Sequence, residues 1–123
     1  MDGQQMAITP KRGEIYLVNF DPAIGAEIKK TRPALIVQND TANYYSPITI
    51  VAAITSQFDL PLYPTEVLLP GQESSLRRDS VVLSNQIRSI DRSRLVKRVG
   101  KLTDEIMARV DQSLRASLAV TDI

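Results

Sequence analysis

Short apolar runs of strand length, each closed by proline, glycine or an Asn/Asp pair, fill most of this chain, and only its last segment changes to a helical period. That punctuation leaves little room for long helices and points to many short strands. Residues 14–20 (Glu-Ile-Tyr-Leu-Val-Asn-Phe) are rich in β-branched and aromatic types and stop at Asp21-Pro22, so they predict a first strand. Residues 23–31 hold a glycine and two lysines without a period and read as a loop. The uninterrupted apolar run Ala34-Leu35-Ile36-Val37-Gln38 comes after Pro33 and ends at Asn39-Asp40. It suits a strand buried on both faces, with proline at its start, where no ladder donor is needed.

Further along, Asn43-Tyr44-Tyr45-Ser46-Pro47 reads as a turn before a second central strand over 48–55, which closes on the polar Thr55 and Ser56. Residues 65–69 predict a short strand, and 72–78 a connector with one helical turn. Residues 80–90 predict a strand with Val81, Leu83 and Ile87 on one face and Ser84, Gln86 and Arg88 on the other. Asp91 caps a short helical turn, and Gly100 breaks the stretch after that turn. Thr103 then opens a helix with Asp104 and Glu105 in its first turn, where carboxylates favour the helix dipole. Its apolar stripe is Met107, Val110, Leu114 and Leu118. Strands first and one helix last predict a mainly antiparallel, partly closed β barrel with a covering C-terminal helix. Residues 1–10 are expected to be a flexible extension, and 11–123 one domain.

Composition removes several chemistries. There is no cysteine and no histidine, so thiolate nucleophiles, zinc-thiolate sites and histidine acid–base catalysis are excluded. No metal site and no cofactor are expected. No apolar run approaches the roughly 20 residues that span a bilayer, and the first ten residues lack a secretory pattern. A cytoplasmic protein without membrane contact is expected. The net charge of +1 conceals an asymmetry. Between positions 77 and 101, Arg77, Arg78, Arg88, Arg92, Arg94, Lys97, Arg98 and Lys101 meet only Asp79 and Asp91. Such a stretch is either a footprint for a polyanion or a solvated surface.

Five segments occur in order: Arg12-Gly13-Glu14-Ile15-Tyr16, Arg32-Pro33-Ala34-Leu35-Ile36-Val37-Gln38-Asn39-Asp40, Val51-Ala52-Ala53-Ile54-Thr55, Arg78-Asp79-Ser80-Val81-Val82-Leu83 and Gln86-Ile87-Arg88-Ser89-Ile90-Asp91. With this series the chain resembles the MazF/PemK family of bacterial toxins from about Lys11 to its end. The resemblance implies a small SH3-like barrel of the CcdB/PemK type. It also implies the toxin of a type II toxin–antitoxin system, a homodimeric, metal-independent, sequence-selective endoribonuclease of single-stranded mRNA that a cognate antitoxin inhibits. It places catalysis on Arg32, before the proline of the second strand, and on Thr55, at the end of the third. Glu27 is the carboxylate available as general base or 2′-hydroxyl orienter. Lys29, Lys30, Ser84, Asn85, Gln86 and Arg88 are the expected RNA contacts, because amides and guanidiniums on a strand can read unstacked bases. Two alternatives stay open: a non-catalytic β-barrel module that binds RNA or protein, and a relative that poisons gyrase, since one small barrel can host unrelated activities.

Overall fold

The computed structural model describes residues 8–20 and 31–120. Six strands form one sheet in which every neighbouring pair is antiparallel: β1 (Glu14–Asn19), β2 (Thr31–Ile36), β3 (Ile48–Thr55), β4 (Glu66–Leu69), β5 (Ser80–Asp91) and β6 (Leu95–Lys101). Their order across the sheet is β4-β5-β3-β2-β1-β6. Three helices join them: α1 (Asp40–Tyr45), the single turn α2 (Gly71–Ser74) and α3 (Asp104–Leu118). The mainly β fold with a C-terminal helix is as expected.

Both faces of the sheet are covered, which is why its central strands read as unbroken apolar runs. On one face Ile15, Leu35, Ala52, Ile54 and Val82 pack with Ile106 and Val110 of α3. On the other, Tyr16, Val18, Ala34, Ile36, Val51, Ile90 and Leu95 form a second cluster, with Ile8 and Phe20 against it. Thr103 caps α3 by accepting the Ile106 N–H, and Asp104 and Glu105 lie in the first turn. The buried stripe of α3 is nevertheless centred one residue earlier than expected. Ile106 is buried, Met107 and Leu114 are partly buried against the same cluster, and Leu118 is 55% exposed.

The chain around Gly13 ties these layers together. Gly13 has a left-handed φ of +94°, which glycine adopts without cost. Its N–H donates to Ile36 O, and its carbonyl accepts from Leu102 N. Beside it, the Arg12 guanidinium donates to Val37 O and pairs with Asp111 of α3 at 2.6 Å, and its backbone N–H donates to Asp40.

The sheet is an open ladder with β4 and β6 as its edges, curled so that the segment after one edge reaches the other. At Gly100 of β6, a side-chain Cβ would lie 2.9 Å from both Ser74 O and Ser75 Cβ, at the end of α2. Ser75 there takes a left-handed φ of 65°. Gly100 is therefore a contact point inside a strand, not the break expected in the stretch after the Asp91 turn.

Other expectations change for physical reasons. β6 reads poorly as a strand because it is an edge whose Val96, Lys97 and Arg98 are all exposed, as charged edges often are. Residues 40–45 form a helix, capped by Asn39 accepting the Ala42 N–H, instead of a turn. In β5 the partners step from Ala53↔Leu83 to Ala52↔Ile87, so residues 84–86 bulge out. The bulge sends Leu83 and Ile87 to opposite faces, against the single face expected, and Ile87 packs on the α3 side. Of the expected N-terminal extension, Ile8 and Thr9 are held by Arg92, which donates to Ile8 O and Thr9 Oγ1.

Gly100→Ala should cost about 1–3 kcal/mol, the usual cost of overpacking, because backbone of the α2 turn must move. Urea denaturation monitored by circular dichroism measures it.

Candidate active site

The β2–β3 register decides which polar residues meet. Ala34, Leu35 and Ile36 pair with Ala53, Ala52 and Val51. Pro33 has no N–H to continue the ladder, and the pairing stops there. Extending the same register by two residues puts Arg32 across from Thr55, both on the face that carries Ala34 and Val51.

Arg32 and Thr55 line one cavity of 240 Å³ at these strand ends, together with Pro33, Ile54, Ser56, Gln57 and Ser80. Its walls come from both sides of the sheet, because Arg32 and Thr55 alternate with Pro33 and Ile54. Arg32 is exposed. Thr55 Oγ1 accepts the Gln57 N–H at 3.1 Å, which fixes the hydroxyl and leaves its own proton free to be donated outward. Ser80 Oγ donates to Arg78 O at 3.1 Å, so its one proton is committed to backbone. The site thus offers a guanidinium and one donating hydroxyl, that of Thr55, a set suited to an anionic oxygen. A larger hollow of 740 Å³ between α3 and β4 has mainly apolar walls, among them Pro64, Val67, Leu68 and Ala116, and holds neither Arg32 nor Thr55.

The remaining candidates are distributed more widely. Arg88 pairs with Val51 on the same face as Arg32 and Thr55, roughly 13 Å from Thr55 at ~3.3 Å per residue. Its guanidinium lies 5.0 Å over the Phe20 ring, a cation–π contact that presents a flat, charged platform. Asn85 and Gln86 project from the bulge and are exposed. Ser84 is fully buried, its N–H donating to Thr65 O, so its hydroxyl is not offered to solvent. Glu27, Lys29 and Lys30 lie outside the described residues. Sequence reasoning misses Ser80 and Gln57. Ser80 opens a strand like many serines, and Gln57 has no local signal.

The basic stretch divides once its contacts are known. Arg92 donates to Ile8 O, Asn43 O and Ser46 O, and Arg94 to Asn19 O. Arg98 pairs with Glu14 at 2.9 Å. Glu14, only 9% exposed, also accepts from Lys11 N and from the Tyr16 hydroxyl. Burial pushes the Tyr16 phenol up to about 12, helped by the adjacent Glu14 carboxylate. Asp79 accepts the Gly71 N–H and so closes the α2 turn. Among the described residues no group of three or more carboxylates is placed to hold a metal ion, and no helix is long and apolar enough to cross a membrane.

Comparison with known proteins identifies the family. Residues 11–118 match the family described as PemK-like, MazF-like toxin of type II toxin-antitoxin system. The chain is 44% identical over 112 residues to endoribonuclease EndoA of Bacillus subtilis, covering 91% of this chain and 97% of the relative. It superposes on a MazE–MazF crystal structure from Deinococcus radiodurans with a TM-score of 0.78 and 29% identity, over 93% of this chain and 99% of the other. It shares the fold of a mycobacterial endoribonuclease solved with its cognate antitoxin, with a TM-score of 0.77, 21% identity and coverage of 93% and 99%.

The Tyr16 phenol is neutral in the fold to a higher pH than in the unfolded chain. Its contribution to stability should be complete below pH 10 and lost as pH rises toward about 12. Tyrosinate absorbance during an alkaline titration should show a late step that Tyr16→Phe removes.

Proposed function

The chain belongs to the PemK-like, MazF-like toxins of type II toxin–antitoxin systems, and from that premise we propose how its residues cut RNA. It is an endoribonuclease, and its protein partner is an antitoxin. We assign the chemistry to the cavity shared by Arg32 and Thr55; the observation that supports this is that a cation and an oriented hydroxyl both line it at neighbouring strand ends. The proposed substrate is single-stranded mRNA, cut within a short preferred sequence by a homodimer in the cytoplasm.

RNA carries its own nucleophile. Attack of the 2′-hydroxyl oxygen on the adjacent phosphorus forms a new P–O bond, and the bond to the 5′ oxygen breaks, giving a 2′,3′-cyclic phosphate and a 5′-hydroxyl. The protein has to remove the 2′ proton, steady the charge on the non-bridging oxygens, and return a proton to the 5′ oxygen. Arg32 fits the second task, since a guanidinium can meet two phosphate oxygens at once. Thr55, with its lone pair held by Gln57 N–H, donates a further hydrogen bond. Arginine makes a poor base because it holds its proton so firmly. Glu27, in the segment that leads to Arg32, is proposed to accept the 2′ proton or orient that hydroxyl. Neither step calls on a metal ion.

Arg32→Ala should lower kcat by about 10²–10³-fold, the usual effect of losing a charge-stabilising donor. Thr55→Val should cost roughly tenfold, about 1.4 kcal/mol of barrier, and Thr55→Ser should recover most of it. The assay is cleavage of a long single-stranded RNA in EDTA, with fragment ends identified as cyclic phosphate or not. RNA that stays bound but uncut would indicate a non-catalytic module. Intact RNA alongside trapped gyrase complexes would indicate the gyrase-poisoning alternative.

A further inference from the structure

Half of the basic residues between 77 and 101 are committed within the fold: Arg88 to Phe20, Arg92 and Arg94 to backbone carbonyls, and Arg98 to Glu14. Arg77, Arg78, Lys97 and Lys101 have no carboxylate partner among the described residues, and Asp79, the acid nearest Arg78 in sequence, is engaged by Gly71 N–H. The uncommitted cations lie on the segment after α2 and on β6. Two of them, Arg77 and Lys97, line a groove of 400 Å³ with Arg98, whose floor and sides include Leu17, Leu76 and Val99.

This groove lies on the α3 face of the sheet and meets the Arg32–Thr55 cavity on its Pro33 side, whereas Arg32 and Thr55 project from the opposite face, so a strand joining the two rounds the end of β2. Leu17, in the groove, is the ladder partner of Pro33, in the cavity, and Lys97 is the partner of Leu17 on the other side. Strands are ~4.8 Å apart, so Lys97 and Pro33 are separated by roughly 10 Å across β1. The groove wall is also preset: the Gly100 contact with Ser74 and Ser75 holds the segment bearing Leu76 and Arg77 against β6. Exposed cations over an apolar floor, next to a site that cuts a phosphodiester, suit a sugar-phosphate strand.

We propose that the groove between β6 and the segment after α2 is a subsite for RNA flanking the cut, in which Arg77 and Lys97 hold backbone phosphates. The inference rests on the Arg32–Thr55 cavity being the place of cleavage. Because the contacts are to phosphate, the subsite adds affinity without adding base preference.

The test compares two RNAs with the same cut sequence, one trimmed close to the cut and one extended on both sides. The native protein should prefer the extended RNA by about tenfold in kcat/KM. In the Arg77→Gln/Lys97→Gln double variant that preference should collapse toward one. The slope of log KM against log salt for the extended RNA should fall by about 1.4, two contacts at ~0.7 each. Arg77→Lys/Lys97→Arg, which keeps both charges, should retain most of the preference. Undiminished preference and salt slope in the double variant would overturn the proposal, as would a variant altered only in its affinity for antitoxin. If Arg32→Ala cuts both RNAs normally, the cleavage site itself is wrong. If only the Gln variants behave as native, the subsite alone fails.

Discussion

The pairing of β2 with β3 is the constraint on which the rest of this structure depends. Leu35 and Ala52 face α3, while Ile36 and Val51 face the opposite cluster, and all four are fully buried. Slipping one strand by a residue would exchange the two faces and strand both cores. The register is therefore fixed by burial well away from any chemistry. Pro33 then ends the ladder at a defined point, and the next residue outward on each strand is Arg32 or Thr55. Arg32 is exposed and Thr55 half-buried, yet the relation of these two proposed catalytic residues is set by residues that are fully buried.

The same economy shows in the charged residues. Arg12 spans the start of β1, the end of β2 and α3, and Arg92 binds the N-terminal segment to the α1 turn. Such arginines serve as structural donors to carbonyls that loops would otherwise leave unpaired. A count of basic residues overstates the surface available to a polyanion about twofold, and contacts, not charge, separate the two groups.

Much of the fold was legible because its central strands are sandwiched and so spell themselves as apolar runs. Arg32 and Thr55 were legible as candidates through the motifs flanking them, since one precedes such a run and the other closes one. Other parts were not. β6 is a charged edge whose partner is 80 residues or so away in sequence, and its pairing with β1 contains two register shifts. No local pattern announces that. The β5 bulge inverted the expected face of Ile87 and drew Ser84 inside, because alternation holds only while each residue has one partner. Residues 40–45 carry turn-forming types but gain a helix from the Asn39 cap and from buried Asn43, whose side chain bonds Gln38 and Thr49. Glu27, Lys29 and Lys30 fall outside the described residues.

The central claim is that one scissile phosphate sits between Arg32 and Thr55. A crystal structure with an RNA carrying a single 2′-deoxynucleotide at the cut would trap the uncleaved strand and test this directly. The account predicts the Arg32 guanidinium and Thr55 Oγ1 both within hydrogen-bonding distance of non-bridging or 5′ oxygens of that phosphate. A phosphate bound elsewhere, with Arg32 and Thr55 left in contact only with solvent, would contradict it.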